Sequence, residues 1–431
     1  MSKFIIQGNK KLKGTIKTNS TKNSTVAILC ATTMIKGKTV LDNVPIIEEV
    51  KRIIEILQSI GIEVNWISDH KLEIINNKKI NLNNLNKKSF CQTRSALLLM
   101  GALSSVFKNF KLPKAGGCTL GKRTVNPYLI ALEHLGIKVK ESKKEYQINT
   151  QYKKASIFTM YESGDTATEN SLMAALFIPG ITEIHLASSN YMVQDLCYFL
   201  KSAGAKIEGI GTKTLKIKGV KKLKPVIYSI MPDPIESMAF ISLAITTKSP
   251  LTITHCPIDF LRLELEKLRI MGQKFKLSKQ YKSKNHKFNL VDIKLIPSEL
   301  KALPDKIHPQ PYPGINIDNL PLFIPILTQA KGTTLVHDWV YEVRAIYYTE
   351  LNRLGANIML LDPHRVTVTG PSKLKAAEII SPPALRPSIN LLICMLAAKG
   401  TSVLRNAYPI ERGYEDLVKR LSKLGADIKR F

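Results

Sequence analysis

Leu351-Asn-Arg-Leu-Gly355-Ala-Asn-Ile and Leu421-Ser-Lys-Leu-Gly425-Ala-Asp-Ile carry one pattern: a leucine, a glycine four residues on, and an alternating apolar tail. Further copies stand upstream: Leu57-Gln-Ser-Ile-Gly61-Ile-Glu-Val, Leu132-Glu-His-Leu-Gly136-Ile-Lys-Val, Leu200-Lys-Ser-Ala-Gly204-Ala-Lys-Ile and Leu268-Arg-Ile-Met-Gly272-Gln-Lys-Phe. A glycine just past a helix's last apolar residue is a left-handed C-cap, and alternation after it marks a half-buried strand. Each copy therefore predicts a helix, a stop and a strand. A second strand precedes several copies, as in Gly37-Lys-Thr-Val-Leu-Asp-Asn43, Gly332-Thr-Thr-Leu-Val-His-Asp338 and Gly400-Thr-Ser-Val-Leu-Arg-Asn406. The repeat is mixed α and β and about seventy residues long, too long for an ordinary solenoid. Three repeats plus three in two domains is the expected division, with the join near Met231-Pro-Asp-Pro234, where two prolines interrupt the pattern.

Composition agrees. A chain of 431 residues exceeds one hydrophobic core, and 44% apolar residues is ordinary for a globular protein. No apolar run approaches the ~20 residues that span a bilayer. The start, Met1 to Gly8, reads as a strand and turn, not a secretion signal. Six cysteines (Cys30, Cys91, Cys118, Cys197, Cys256, Cys394) lack Cys-x-x-Cys spacing, which argues against zinc or a disulfide framework and fits a reducing cytoplasm. No metal and no cofactor is expected. The net charge of +29 admits nucleic acid, a membrane surface or anionic small molecules as partners. The runs at Lys221, Lys222 and Lys224 and from Lys279 to Lys287 read first as solvated surface. No nucleic-acid-reading motif is present, so neither nucleic acid nor membrane is expected as a partner.

The chemistry-bearing residues cluster. Ala115-Gly-Gly-Cys118-Thr-Leu-Gly-Lys-Arg123 sets one thiol among glycines with two cations following. It reads either as a surface turn with a half-buried cysteine or as a ligand loop whose cations activate the thiol. Six cations, Lys22, Arg94, Arg123, Arg344, Arg386 and Arg412, fall at predicted helix N-termini, with Ser24 or Thr25 as the expected N-cap after Lys22 and Asn23. The helix dipole disfavours a cation there by about 0.3–1 kcal/mol. Six such positions imply a missing anion, because N-terminal amides and arginine forks both bind phosphate and carboxylate. A polyanionic substrate held between two domains follows. Asp318, just before an apolar helix, reads as an N-cap or as a general base near the cations. Glu342 reads as an ion-pair partner orienting Arg344.

Taken together, Thr21-Lys22-Asn23, Arg94-Ser95, Gly116-Gly117-Cys118-Thr119-x-Gly121-x-Arg123, Ala167-Thr168-Glu169-Asn170, Pro311-Tyr312-Pro313-Gly314 with Asp318, Tyr341-Glu342-x-Arg344 and Glu411-Arg412-Gly413-Tyr414-Glu415 resemble the UDP-N-acetylglucosamine 1-carboxyvinyltransferases, an enolpyruvyl transferase family, from end to end. The resemblance implies an α/β (α+β) fold: a two-domain inside-out α/β barrel, each domain three βαβαββ repeats around buried helices. The first domain would span residues 22–230 and the second 1–21 with 231–431, with the N-terminal strand crossing over and the active site in the cleft. The implied reaction moves enolpyruvyl from phosphoenolpyruvate to the 3-hydroxyl of UDP-N-acetylglucosamine, releasing phosphate, in the first committed step of cytoplasmic peptidoglycan synthesis. By position, Cys118 would be the general acid and Asp318 the base, with Lys22 and Arg412 also catalytic. Lys22, Asn23, Arg123, Arg344, Arg386 and Arg412 would hold phosphoenolpyruvate. Asn23, Arg94, Arg123, Thr124, Val125, Asn126, Pro127, Gly164, Asp165, Thr166, Asp318 and Val340 would hold the UDP-sugar. The chain departs from the family at Thr124, Asn126, Gly164, Asp165, Thr166, Pro234, Ile317, Val343 and Ala384. Most of these are nucleotide or hinge positions, so another UDP-sugar, or a non-catalytic UDP-sugar-binding paralogue, stays open.

Overall fold

The computed structural model describes residues 2–116 and 124–431. Cys118 and Arg123, with the rest of 117–123, lie outside the described residues.

All six motif glycines adopt left-handed φ, from 75° at Gly136 to 100° at Gly204. Each closes a helix: Glu48–Ser59, Asn126–His134, Tyr191–Ser202, Arg262–Ile270, Ala345–Leu354 and Leu417–Lys423, the fifth wound as a 3₁₀-helix. The motif leucine has a backbone role too. Its carbonyl accepts from the amide one past the glycine in every copy: Ile62 to Leu57, Ile137 to Leu132, Ala205 to Leu200, Gln273 to Leu268, Ala356 to Leu351 and Ala426 to Leu421, at 2.9–3.2 Å. That six-to-one bond is the Schellman closure, which only a left-handed residue before the donor permits.

The strand after each glycine is the edge of its own sheet: Glu63–Ser68, Lys138–Glu141, Lys206–Glu208, Lys274–Leu277, Asn357–Asp362 and Asp427–Arg430. In the first five its antiparallel neighbour comes next along the chain, apart from the short Tyr281–Lys282 strand inserted in the fourth. In the sixth the neighbour is Lys3–Gln7, which sits between Asp427–Arg430 and Thr401–Arg405, antiparallel to both.

Other helices lack an exposed face. Lys22–Ala31, Leu98–Ser104 and Asp165–Ala175 are such a set, and Pro234–Thr246, Phe323–Leu327 and Leu385–Ala397 another. Every residue of Pro234–Thr246 is buried. A helix with no exposed face belongs inside a core, and Pro234 suits the first helical turn because its missing N–H has no partner there. The chain divides into two compact units, residues 2–19 with 232–431 and residues 20–116 with 124–231. No described helix is long and apolar enough to cross a membrane.

Two helix boundaries differ from expectation. Lys22 is itself the first helical residue, with Thr21 before it and no side-chain cap. Thr25 lies inside the helix, its hydroxyl bonded back to the Thr21 carbonyl at 2.7 Å, a local bond that competes with capping. Arg412 does not begin a helix. Pro409 nucleates a short helix, Tyr408–Glu411, and Arg412 is its C-cap, while the last helix starts at Leu417. The helix dipole there favours the cation.

Candidate active site

In the unit formed by residues 2–19 and 232–431, three predicted site residues come together. Asp318 precedes the turn Leu320–Leu322 that leads into the buried helix Phe323–Leu327. Arg386 is the second residue of the buried helix Leu385–Ala397. Arg344 directly precedes the 3₁₀-helix Ala345–Leu354. The Asp318 carboxylate faces Arg386 Nη2 at 3.3 Å and Arg344 Nη1 at 3.6 Å. It is therefore an ion-pair member and not an N-cap.

Arg344 is held by acceptors of its own unit. It is 1% exposed. Its Nε and Nη2 donate to the two oxygens of Asp338 at 2.7 and 2.8 Å, and Nη2 also donates to the Ile317 carbonyl at 2.7 Å. Tyr348 donates its hydroxyl to Asp338 at 2.5 Å, and the Tyr341 ring lies 4.3 Å from the guanidinium carbon. Burial alone would push the arginine's pKa down, but Tyr348 and Asp338 hold it above its ordinary value. A guanidinium so committed to protein acceptors positions Asp318 and the Ile317 carbonyl before it. The acid that fixes it is Asp338, where sequence pointed to Glu342.

Arg386 donates to the Tyr414 hydroxyl at 3.1 Å. Asp233 caps Pro234–Thr246 by accepting from the Ile235 and Glu236 amides. Burial pushes its carboxyl up to about 6 against the pull of Arg386. At the Ala384 departure, Arg386 thus has Asp318, Tyr414 and Asp233 around it. Val340 is 41% exposed.

Among residues 20–231 the hydrogen bonds described for the candidates run to neutral groups. Lys22 opens its buried helix, and its amine makes no hydrogen bond or ion pair with any described residue. Asn23 donates from Nδ2 to the Tyr191 hydroxyl at 3.0 Å. Arg94 donates to the Thr124 carbonyl at 3.0 Å. Thr93 and Ser95 on either side of it give their hydroxyls to Glu49, which braces the turn. Gly164 caps the buried helix that Asp165 begins. The Asp165 carboxylate accepts from Ser188 at 2.5 Å and from Asn190 Nδ2 at 3.1 Å, and Asn190 Oδ1 caps the helix begun by Tyr191. Asp165, Asn190, Tyr191 and Asn23 are thereby one polar run. Thr124 and Asn126 are exposed, while Val125 and Pro127 are buried and line the core. Thr166 follows Asp165 in the first turn, half-buried, its carbonyl taken by Asn170 Nδ2 at 2.9 Å.

Four of the described cysteines are buried, and burial pushes their thiols up, to about 12 at Cys256. Cys91 is exposed. Among the described residues no group of three or more His, Cys, Asp or Glu is arranged to hold a metal.

The chain matches the EPSP synthase (3-phosphoshikimate 1-carboxyvinyltransferase) family over residues 6–421. It is 34% identical over 435 residues to the UDP-N-acetylglucosamine 1-carboxyvinyltransferase of Bradyrhizobium diazoefficiens, covering 99% of this chain and 97% of that one. Against the enzyme of that name from Borrelia garinii subsp. bavariensis it is 35% identical over 437 residues, covering 100% and 99%. The chain belongs to the UDP-N-acetylglucosamine 1-carboxyvinyltransferase family. Its fold matches the enolpyruvyl transferase NikO from Streptomyces tendae with a TM-score of 0.84 at 22% identity, covering 100% of this chain and 99% of that one. EPSP synthase from Acinetobacter baumannii matches at 0.78 and 17%, over the full length of both. The fold class expected from the sequence is the one observed.

Family membership leaves several residues unread. Asp338, Tyr348, Tyr191, Glu49, Ser188 and Asn190 carry no motif of their own. Asp338 was visible only as the end of a repeat strand, and the Asn23–Tyr191 contact joins residues 168 apart.

Proposed function

We propose that this chain transfers the enolpyruvyl group of phosphoenolpyruvate to the 3-hydroxyl of UDP-N-acetylglucosamine, releasing phosphate, in the cytoplasmic synthesis of peptidoglycan. The observation that carries this reading, beside the family, is the Asp318 carboxylate set between Arg344 and Arg386 at the entry of a buried helix. In this reading Asp318 takes the hydroxyl proton as oxygen adds to C2 of phosphoenolpyruvate. Cys118 delivers a proton to the methylene carbon. The tetrahedral adduct then loses phosphate and a methyl proton, which restores the enol ether. Lys22, Arg123, Arg386 and Arg412 offset the charge of the phosphate and carboxylate. Arg94, Asn23 and residues 124–127 and 164–166 would hold the nucleotide.

A second reading keeps the chemistry and changes the acceptor. Asp165 favours it, because a carboxylate already occupies the helix N-terminus where an anion would otherwise sit. Phosphate release measured with phosphoenolpyruvate and a panel of UDP-sugars separates the two. Strong preference for UDP-N-acetylglucosamine supports the first reading, preference for another UDP-sugar the second. No release with any of them, together with UDP-sugar binding, would leave a non-catalytic paralogue.

A further inference from the structure

Glu264 is 2% exposed and lies in the helix Arg262–Ile270, far from Asp318 in sequence. Its Oε1 accepts from Asn319 Nδ2 at 2.8 Å and from the Asn316 amide at 3.3 Å. Those two residues bracket Asp318. Asn316 in turn accepts the Asp318 amide on its side-chain oxygen at 2.8 Å, and its carbonyl takes the Asn319 and Leu320 amides at 2.9 and 3.0 Å. One carboxylate oxygen thus ties both ends of the turn that aims Asp318. A groove of about 400 Å³ opens beside Glu264, lined by Tyr312, Pro313 and Gly314. A buried carboxylate is a costly choice where a leucine of similar size would stabilise the core. Asn319 is itself fully buried, and its side-chain oxygen has no partner among the described residues. An arrangement that sacrifices stability behind a reactive carboxylate has a positional use.

We propose that Glu264, acting with Asn319, is a positioning residue for Asp318: it fixes the turn so that the carboxylate keeps one direction while Arg344 and Arg386 hold its far side. The proposal rests on the reading of Asp318 as the general base. The test is phosphate release by the full chain, with kcat and both KM values per folded molecule and a pH profile. Glu264→Leu removes the acceptor, and kcat is expected to fall roughly 10–100-fold with little change in either KM. Glu264→Gln keeps an acceptor oxygen and should restore turnover to about that of the parent. Asn319→Ala, which breaks one of the two ties, should fall between them, and it serves alone if the leucine variant does not fold. A leucine variant with unchanged kcat per folded molecule, or with the whole loss in KM, overturns the proposal. So does a glutamine variant as impaired as the leucine one. Asp318→Asn is the control: if it turns over at the parental rate, the base reading itself has failed, whatever Glu264 does.

Discussion

Asp338 and Asp195 are both fully buried, and they are held in opposite ways. Asp338, in residues 232–431, receives a two-pronged guanidinium and a phenol. Asp195, in residues 20–231, receives neutral donors, the Tyr228 hydroxyl at 2.6 Å and the Met231 amide at 3.3 Å. Burial pushes the Asp195 carboxyl up to about 7 in spite of those bonds. Glu169 shows the same bias in the same unit, raised well above its ordinary value by burial and then by Asp165. One repeat plan thus supports two electrostatic solutions. One unit neutralises buried charge inside a closed pair next to its candidate base. In residues 20–231 Asp195 and Glu169 are buried with no described ion pair, as Glu264 is in residues 232–431, and the lysine at a helix N-terminus has no described partner.

The largest test of this contrast is Arg344→Met. Breaking a buried pair leaves Asp338 as an uncompensated charge and should cost about 3–5 kcal/mol of stability. The double variant Arg344→Met with Asp338→Leu should recover most of that loss in urea unfolding, because both partners are then gone. A single variant as stable as the parent would mean the pair is not closed.

Next is the pH response of Asp195. An unfolded aspartate titrates near ~3.9. Between there and about 7 the folded state binds more protons than the unfolded one, so this group's contribution to stability falls as pH rises across that window and is flat above it. Asp195→Asn should flatten that slope, by up to a few kcal/mol between its ends. Of the two tryptophans, Trp66 lies in this unit and Trp339 in the other. A Trp339→Phe background therefore reads this unit alone by fluorescence. Equal slopes with and without Asp195 would remove it as the source.

Lys22→Ala should leave unfolding within about 0.5 kcal/mol of the parent, since no described group depends on the amine. Its kcat/KM for phosphoenolpyruvate should fall about tenfold or more, the worth of a charged hydrogen bond. A large loss of stability would show that Lys22 is structural.

The smallest expected effect compares the units at equivalent positions. A Cβ at Gly204 or Gly425 would meet nothing within 4 Å. Gly204→Ala and Gly425→Ala should each cost only the left-handed backbone strain, about 1 kcal/mol. Gly136→Ala should cost more, because its Cβ would fall 2.1 Å from the Tyr152 carbonyl. Similar losses at all three would mean that strain, and not space, sets the cost.

The legible part of this molecule is local. The Leu-x-x-x-Gly copies located all six helix ends, because the glycine conformation and the leucine carbonyl act within six residues of each other. Lys22, Arg94, Arg344 and Arg386 do stand at helix starts, which is a local property too. Partnership was not legible. Asp338 and Arg344 are six residues apart across a strand end and a loop, a spacing that no helix or strand periodicity pairs. Glu264 meets Asn319 across 55 residues. Arg412 was misplaced because Pro409 moved a helix start by several residues, and such boundaries depend on which turn nucleates first.

The strand Lys3–Gln7 has a bearing on the order of events during synthesis. It leaves the ribosome long before its partners on both sides, Thr401–Arg405 and Asp427–Arg430. The unit of residues 20–116 and 124–231 lies wholly within the first 231 residues and can close while translation proceeds. The other unit cannot complete its sixth sheet until residues 427–430 have emerged, so its oldest strand waits longest for a place. Folding should therefore be vectorial for one unit and post-translational for the other. Arrested chains ending before residue 401 would show this as early protease resistance confined to residues 20–231. Resistance acquired by both units together at that length would refute it.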